Sequence, residues 1–302
     1  MDENEWLAIR FEEHRAHLRA VAYRMLGSLT EADDAVQDAW LRMSRSGASE
    51  VENLGGWLTT IVARVCLNML RSRNTRREES LELHIPDPII SPDGVPQPED
   101  EAVLADSVGL ALLVVLDTLT PAERLAFVLH DMFDLPFEEI APMVGRSPAA
   151  ARQLASRARR RVRGAGVPAA DPDLARQRDV VDAFFRAARD GDFDALVAVL
   201  HPDVVLLTEF GGRRPASAGP TVLRGAAAVA GQALRFALPG AELHPALVNG
   251  AAGVVITAAG RPYAVMGFTV TDGRIVEIDA IGDPARVRRI AAAVLREAST
   301  DP

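Results

Sequence analysis

The chain has 302 residues, of which 48% are hydrophobic, and a formal net charge of -9, so it can fill two or three compact domains. The acidic balance excludes a protein that coats nucleic acid with its whole surface. Cys66 is the one cysteine, which excludes an intrachain disulfide, and the start MDENEWLAIR is unlike a signal peptide, so we expect a soluble cytoplasmic protein.

Residues 5–78 carry apolar side chains at every third or fourth position, a pattern that predicts helices. Thr30 is the expected N-cap of one helix, with Asp33 as its capping-box acid. Its apolar stripe comprises Ala32, Val36, Trp40 and Met43. Its polar face presents Asp34, Gln37, Asp38 and Arg42. Taken alone, this helix fits an ordinary surface helix better than a partner-binding one.

A basic helix is predicted within residues 55–79, with Trp57 in its buried stripe and Asn53 in the loop before it. The polar side chains on its other faces are Arg64, Asn68, Arg71 and Arg73. The following stretch, HIPDPIISPDGVPQPEDE, is rich in proline and acid, a composition that resists both helix and sheet. We interpret residues 81–101 as a linker.

Residues 102–165 predict a helix-turn-helix. TPAE at 120–123 has the pattern of a capping box, and the helix that it starts should run to about Phe133. A short second helix should end at Gly145, with Pro142 marking an early end or a kink. Ser147 is the expected cap of the third helix.

The third helix lies in GRSPAAARQLASRARRRVRG, which holds seven arginines and no acidic residue. The planar fork of arginine grips a phosphate or a guanine with two hydrogen bonds, so the segment favours DNA binding. The residues expected to face DNA are Arg146, Ser147, Ala150, Arg152, Gln153, Arg157 and Arg160. The same segment also fits a solvated basic helix or an RNA-binding surface.

After a short linker, 166–173, the character of the sequence changes to one helix followed by β-like runs. The helix is DLARQRDVVDAFFRAARDGD, and the runs include VVLLTE, GVVITAAG and YAVMGFTVT. TDGR at 271–274 predicts a hairpin turn, because Asp-Gly adopts the positive φ angles that such turns need. Residues 174–292 therefore predict an α+β domain, followed by a tail, 293–302.

Together these segments resemble the RNA polymerase sigma factors of the extracytoplasmic-function (ECF) group, over about residues 8–163. DDAVQDAWLRM resembles the helix of region 2 that binds core polymerase. GWLTTIVARVCLNMLRSRNTRRE resembles the part of region 2 that handles the -10 element, although Asn68 replaces an expected aspartate. Residues 119–162 resemble region 4, which reads the -35 element.

Residues 174–290 resemble the SnoaL-like cone fold, which places this chain in the SigJ-like branch of the group. Three motifs of that branch correspond here to HIPDP at 84–88, EFGGR at 209–213 and DPARV at 283–287. The resemblance implies regulatory contacts made by Pro86, Asp87, Pro88, Gly211, Gly212, Arg213, Asp283, Pro284 and Arg286.

The resemblance implies a multidomain fold, with two all-α modules followed by an α+β cone that has a curved antiparallel sheet. The modules are region 2 in residues 1–80, a helical bundle, and region 4 in residues 102–165, a helix-turn-helix. The protein would bind core RNA polymerase through Asp34, Gln37, Asp38 and Arg42. It would contact the -10 element of promoter DNA through Asn53, Arg64, Asn68, Arg71 and Arg73.

The -10 contact would capture an unstacked base near Asn53, with Trp57 as its buried support. The -35 contact would place the third helix of region 4 in the major groove. The resemblance further implies that the C-terminal domain acts as a built-in regulator that touches the linker and the core-binding region, in place of a separate membrane-anchored anti-sigma protein. We expect no enzymatic activity and no catalytic, cofactor-binding or metal-binding residue.

Two rival hypotheses remain at this point. The cone could be an enzyme or could bind a small ligand, with an acid or base chosen from His201, Glu209, His244, Tyr263 and Asp279, of which alternation favours Asp279 as inward-facing. Alternatively, the chain could be a helix-turn-helix regulator with a ligand-sensing domain. That alternative leaves the region-2-like segment unexplained.

Overall fold

The computed structural model describes residues 3–46, 53–77, 85–93, 109–166, 168, 170–210 and 221–298. Its chain forms two compact units. The N-terminal unit comprises residues 1–80 and 113–166, and the C-terminal unit comprises residues 81–112 and 167–302.

Three long helices form the first part of the N-terminal unit. They are α1 (Glu3–Leu26), α2 (Leu29–Ser46) and α3 (Leu54–Arg77). Their fully buried residues include Leu18, Tyr23, Met43, Leu58 and Leu67. The last two turns of α1, residues 20–26, are buried on every side, which makes them the centre of this bundle.

The start of α2 corrects one prediction. The helix begins at Leu29, so Thr30 lies inside it and does not act as its N-cap. The hydroxyl of Ser28, itself a favourable capping residue, lies 3.5 Å from the amide of Glu31. Asp33 does not complete a capping box but accepts a hydrogen bond from Arg19 of α1 at 2.7 Å.

The second part of the N-terminal unit is the helix-turn-helix. Its elements are α4 (Leu110–Asp117), whose first turn belongs to the C-terminal unit, α5 (Pro121–Phe127), a π-helical turn (Val128–Met132), α6 (Phe137–Val144) and α7 (Pro148–Gly164). Thr120 and Glu123 form the predicted capping box, and Gly145 adopts the predicted left-handed conformation, with φ of 67°. Pro142 neither ends nor shortens α6, because only one backbone hydrogen bond is lost in this short helix.

The C-terminal unit is an α+β domain. Its helices are α8 (Leu174–Asp190), α9 (Phe193–Val199), α10 (Ala226–Phe236), α11 (Pro284–Ile290) and α12 (Ala292–Ala298). Its strands are β1 (Ile90–Pro92), β2 (Leu200–Glu209), β3 (Thr221–Arg224), β4 (Ala241–Val248), β5 (Ala251–Ala258), β6 (Arg261–Thr271) and β7 (Arg274–Ile281). The core lies between the sheet and α8, α9 and α10, and includes Val181, Phe184, Leu196, Val229 and Phe268.

The described strands form one sheet in the order β1-β4-β5-β6-β7-β2-β3. Strand pairs along it are antiparallel with one exception, the parallel pair β2·β7, so the sheet is mixed where antiparallel pairing was predicted. Parallel neighbours need a long connection, and the chain between β2 and β7 includes the helix α10. The predicted hairpin turn is confirmed, since Asp272 and Gly273 both have positive φ.

The linker also differs from its prediction. Ile90–Pro92 forms the edge strand β1, paired antiparallel with β4, although the composition of this stretch disfavours a strand. Proline is tolerated there because an edge strand leaves one row of backbone donors unused.

Candidate nucleic-acid interface

The exposed face of α7 is the first candidate surface. Ser147 caps the helix by accepting a hydrogen bond from the amide of Ala150 at 3.3 Å. The face that packs inward carries Ala151, Leu154, Ala155 and Ala158. The opposite, solvent-exposed face carries Arg146, Ser147, Arg152, Gln153, Arg157 and Arg160, while Ala150 is half-buried between the two. All seven predicted -35 residues thus lie on or beside one accessible face.

Glu123 holds α7 in place against α5. Its side chain is 5% exposed and lies 3.0 Å from the Nε of Arg157 and 2.7 Å from an Nη of Arg161. Burial opposes ionisation of this carboxyl and would raise its pKa. The hydrogen bonds that it accepts from Thr120, together with the positive charges of Arg161 and Arg157, outweigh burial and lower the pKa of Glu123. The capping-box acid therefore also orients the arginine-rich helix.

A second contact orients Arg152. Its guanidinium lies over the ring of Phe137 in α6, 5.2 Å from the ring centroid. Such a cation–π arrangement restricts the rotamers of an exposed arginine, which reduces the entropy lost when it binds a phosphate or a base.

In α3, the predicted -10 residues divide into two groups. Arg64, Asn68 and Arg71 are exposed. Arg73 instead is half-buried and donates hydrogen bonds to the carboxylate of Glu31 and, at 3.3 Å, to the carbonyl of Leu26. Arg73 therefore fastens α3 to the junction of α1 and α2.

Asn53 and Trp57 lie at the start of α3. The Oδ1 of Asn53 accepts a hydrogen bond from the amide of Gly56 at 2.9 Å, so this side chain caps the helix. Trp57 is half-buried. Residues 47–52 of the loop proposed to form the base pocket lie outside the described residues.

The polar face of α2 is the candidate polymerase-binding surface. Asp34 and Gln37 are exposed, and Asp38 forms an ion pair with Arg42 one turn later, at 2.8 Å. The predicted apolar stripe of α2 is buried at Ala32, Val36 and Met43 and half-buried at Trp40, whose ring packs against Phe11 with centroids 5.2 Å apart.

A buried arginine joins the two parts of the N-terminal unit, and the sequence analysis did not identify it. Arg124 of α5 is 1% exposed, and it donates hydrogen bonds to Asp117 at 3.1 Å and to the carbonyl of Arg24, at the end of α1, at 3.2 Å. Burial lowers the pKa of Arg124 to about 10. The guanidinium of Arg24 lies over the ring of Phe133, at 5.0 Å. The helix-turn-helix and the α1–α3 bundle therefore share a desolvated polar contact.

In the C-terminal unit, the linker packs against the sheet and α11. Arg286 donates a 2.6 Å hydrogen bond to Asp87 and another to the carbonyl of Ile85. The Glu209 carboxylate accepts a hydrogen bond from the backbone N–H of Ile85 at 2.8 Å and lies 3.0 Å from the Arg286 guanidinium. These contacts join residues from all three of the motifs identified in the sequence.

The remaining residues of those motifs support the same junction. Pro86 and Pro88 are buried, and Asp283, followed by Pro284, caps α11 by accepting from the amide of Arg286 at 2.7 Å. Gly211, Gly212 and Arg213 lie outside the described residues.

The sequence analysis missed Asn249, the other anchor of the linker. Its side-chain Oδ1 accepts a hydrogen bond from the backbone N–H of Ile89 at 2.7 Å, and its backbone N–H donates one to the carbonyl of Ile89 at 2.8 Å. Asn249 has a φ of 49°, a left-handed conformation in which asparagine is enriched, and the Asn-Gly pair at this position was the available signal.

The cone contains a cavity of about 150 Å³ between α8, α10 and the sheet. Its described walls are mostly apolar, with Phe184 and Phe185 among them, and its polar lining residues are Arg189, Thr208, Gln232 and Tyr263. Of the residues that the structure describes, no carboxylate or histidine lines this cavity.

The five candidate acids and bases are therefore not assembled in the cone. Glu209 contacts the linker, and Tyr263 alone of the five lines the cone cavity. His244 lies 3.0 Å from the hydroxyl of Thr257, and His201 accepts from the amide of Asp203 at 3.2 Å. Asp279 is buried on the opposite face of the sheet, so the prediction that it faces the cone is wrong.

The N-terminal part of the chain matches two known families. Residues 10–76 match Sigma-70 region 2, and residues 109–162 match Sigma-70 region 4. No helix in the described ranges combines the length and the apolar character needed to cross a bilayer.

Three comparisons extend over nearly the whole chain. It is 38% identical to the ECF RNA polymerase sigma factor SigJ of Mycobacterium tuberculosis, covering 97% of this chain and 96% of that protein. It is 33% identical to a probable ECF RNA polymerase sigma factor, SigI, of the same species, covering 97% and 98%. The crystal structure of M. tuberculosis SigJ superposes with a TM-score of 0.72 at 33% identity, covering 92% of this chain and 97% of that one.

Proposed function

Because the chain belongs to the extracytoplasmic-function sigma factors, we propose that it binds core RNA polymerase, brings the enzyme to promoters and is regulated by its own C-terminal unit. The similarity to a sigma factor along 97% of the chain carries the first part of this proposal. The alternative, a helix-turn-helix regulator without polymerase binding, is disfavoured because it leaves the match to Sigma-70 region 2 without a role. Such a function places the protein in the cytoplasm.

In this proposal, α7 enters the major groove of the -35 element. Support comes from the exposed Arg146, Arg152 and Arg160, and from the small Ala150, which lets the backbone approach the groove. Arg157 would exchange its contact with Glu123 for a phosphate, and Arg161 would remain as the partner of the buried Glu123 carboxylate.

Region 2 would contact the -10 element through Asn53, Arg64, Asn68 and Arg71. Arg73 would act as a positioning residue, because its partners Glu31 and Leu26 belong to the neighbouring helices. The polar face of α2, with Asp34, Gln37, Asp38 and Arg42, would bind core polymerase.

The contact between Arg286 and Asp87 carries the regulatory part of the proposal. A linker that pairs with β4 and is held by Arg286 has a restricted path, and the linker joins regions 2 and 4. A sigma factor must present regions 2 and 4 to separate promoter elements. Whether the linker is docked or released therefore limits the positions that the two regions can take on a promoter. The C-terminal unit would act by docking or releasing residues 85–93.

We further propose that the C-terminal unit is not an enzyme. Acid–base catalysis needs a titratable group in reach of the substrate, and the cone walls described above offer a tyrosine but no carboxylate or histidine. The same apolar walls would suit a small apolar ligand, which stays a prediction of the sequence.

The test is transcription in vitro with purified core polymerase and the upstream region of the chain's own gene as template. The full chain should start transcription, and the double variant Asp34→Arg with Asp38→Arg should lose both transcription and a core complex on a sizing column. The control is Asp179→Arg with Asp182→Arg, the same charge change at two exposed positions of α8. Binding to the template without any core complex would favour the regulator.

The regulatory part is tested in the same assay with Arg286→Ala. This variant should change the amount of transcript at equal core occupancy. An unchanged transcript level, together with a released linker by hydrogen exchange, would refute the regulatory proposal and leave the sigma function standing.

A further inference from the structure

A second cavity, of about 270 Å³, lies in the C-terminal unit on the sheet face opposite the cone; we name it the far-face cavity. Ile278 and Ala280 line the cone, while Asp279 between them lines the far-face cavity, as alternation along β7 requires. Residues outside the sheet that line it are Gly109, Leu110, Ala111, Leu112, Pro168 and Ala170.

Among the residues that the structure describes, the walls of the far-face cavity are apolar except near Asp279 and Thr269. Space beside Asp279 arises from the register of the sheet, in which Asp279 pairs with Gly267, a residue without a side chain. A Cβ at position 267 would lie 3.0 Å from a methyl of Val248 and 3.5 Å from a methyl of Leu110, so a larger residue there would narrow the cavity.

Asp279 is the acidic side chain among the described residues that line this cavity. It is 3% exposed, and its Oδ1 has no hydrogen-bond partner among the described residues. Burial, and secondly the neighbouring carboxylate of Glu277, raise the pKa of Asp279 well above its usual range. Burial in the far-face cavity thus favours the neutral carboxylic acid form of Asp279, which has one O–H donor and one carbonyl acceptor.

We propose that the far-face cavity binds a small uncharged molecule with an apolar body and a carboxamide or lactam group that pairs with the Asp279 carboxyl. An amide places an acceptor and a donor side by side, and so matches both functions of a neutral carboxylic acid. It would provide the partner that Oδ1 lacks, and an unpaired buried polar atom is costly.

Charged ligands fit this cavity less well. A carboxylate ligand would carry its negative charge into an apolar site beside two acidic side chains, Glu277 and Asp279, and an ammonium ligand would require the buried Asp279 to ionise. At the packing density of protein interiors, the cavity leaves room for roughly 200 Å³ of ligand, the size of a substituted cyclohexane.

The test uses the full chain and three probes of one shape, namely cyclohexanecarboxamide, cyclohexylmethylamine and cyclohexanecarboxylate, in calorimetric titrations at pH 7. We expect the carboxamide to bind most tightly. Asp279→Leu should weaken its binding about tenfold or more, since the paired hydrogen bonds are lost. Ala251→Leu, which fills the far-face cavity without changing its chemistry, should weaken it as well.

A cone variant separates the two cavities. Ala233→Leu, which fills the cone instead, should leave carboxamide affinity unchanged. Circular dichroism verifies the fold of each variant, and Asp279→Leu is expected to fold because it removes a buried polar group.

Different results would overturn the location of the site and the chemistry of its ligand. Loss of binding in Ala233→Leu alone would move the site to the cone and overturn the proposal. Tighter binding of the amine than of the amide, or no binding of the amide up to its solubility limit, would overturn the assigned chemistry. None of these measurements depends on transcription.

Discussion

Asp87 and Arg286 are 199 positions apart in the chain, yet they share a 2.6 Å hydrogen bond with only 12% and 8% of their side chains exposed. Arg289 approaches the other oxygen of Asp87 at 2.8 Å, but its side chain is 59% exposed. Two arginines on one helix therefore bind one carboxylate in different environments, and they form a matched pair for experiment.

Arg286→Ala should release the linker, whereas Arg289→Ala should not. Arg286→Ala removes the buried donor to Asp87 and to the carbonyl of Ile85, which costs about 3 kcal/mol even though Arg289 still contacts Asp87. An exposed pair such as Arg289 with Asp87 contributes only about 0.5 kcal/mol. Hydrogen exchange should show faster exchange of the Ile85 and Ile89 amides in the first variant alone. Equal exchange in the two variants would contradict the assigned role of Arg286.

Arg124→Leu should destabilise the N-terminal unit. Leucine has no donors for Asp117 or the carbonyl of Arg24, so we expect a loss of about 3 kcal/mol. All three tryptophans of the chain, Trp6, Trp40 and Trp57, belong to this unit, so urea unfolding followed by tryptophan fluorescence reports on it selectively.

The control for that measurement is Arg64→Ala, which removes an exposed arginine of the same unit and should change the unfolding free energy by less than about 0.5 kcal/mol. A midpoint of Arg124→Leu equal to that of the parent chain would mean that the buried hydrogen bonds of Arg124 contribute little.

Arg160→Ala should weaken promoter binding more than Arg159→Ala. Arg160 is exposed on the candidate DNA face, whereas Arg159 forms an ion pair with Asp131 at 2.5 Å. If Arg160 contacts a phosphate, its loss should lower the slope of log affinity against log salt by about 1. Fluorescence anisotropy with a -35 duplex at several salt concentrations measures this slope, and equal slopes for the two variants would remove Arg160 from the interface.

Asp279→Asn should change how the stability of the C-terminal unit depends on pH. The raised pKa means that the folded state binds a proton that the unfolded state has lost, so stability is fully present below about pH 4 and falls as pH rises from there. One such proton contributes a slope of up to about 1.4 kcal/mol per pH unit.

The measurement for this prediction is urea unfolding by circular dichroism, read for the transition that tryptophan fluorescence does not report. Between pH 5 and pH 8 the parent should lose more stability than Asp279→Asn. Carboxylates that do not contact Asp279 contribute equally to the two pH profiles and cancel in the comparison. Parallel pH profiles would show that Asp279 is ionised in the folded state.

Local structure was predictable from the sequence because its causes are local. The capping box of Thr120 and Glu123, the cap at Ser147, the left-handed Gly145 and the Asp-Gly hairpin each depend on a few adjacent residues. The start of α2 was misplaced by one or two residues, because Ser28 and Thr30 are both good capping residues and the sequence does not rank them.

Features that depend on distant partners were not predictable. Nothing near Arg124 in the sequence indicates that it is buried, since its partners come from the end of α1 and from Asp117. The strand at Ile90–Pro92 exists because β4 offers it an edge, which its own composition does not reveal. Alternation correctly put Asp279 in the interior, but it could not say which face of the sheet carries the cone.

The long separation of Asp87 from Arg286 has a consequence for synthesis on the ribosome. At roughly 5–20 residues per second, about 10–40 s pass between the translation of one residue and that of the other. Region 2 has been translated before that interval and region 4 is translated within it, but α11, which the linker contacts, does not yet exist. Each newly made molecule therefore passes through a period in which Asp87 lacks its partner on α11, and the linker gains the last of its described anchors only after translation has reached Arg286.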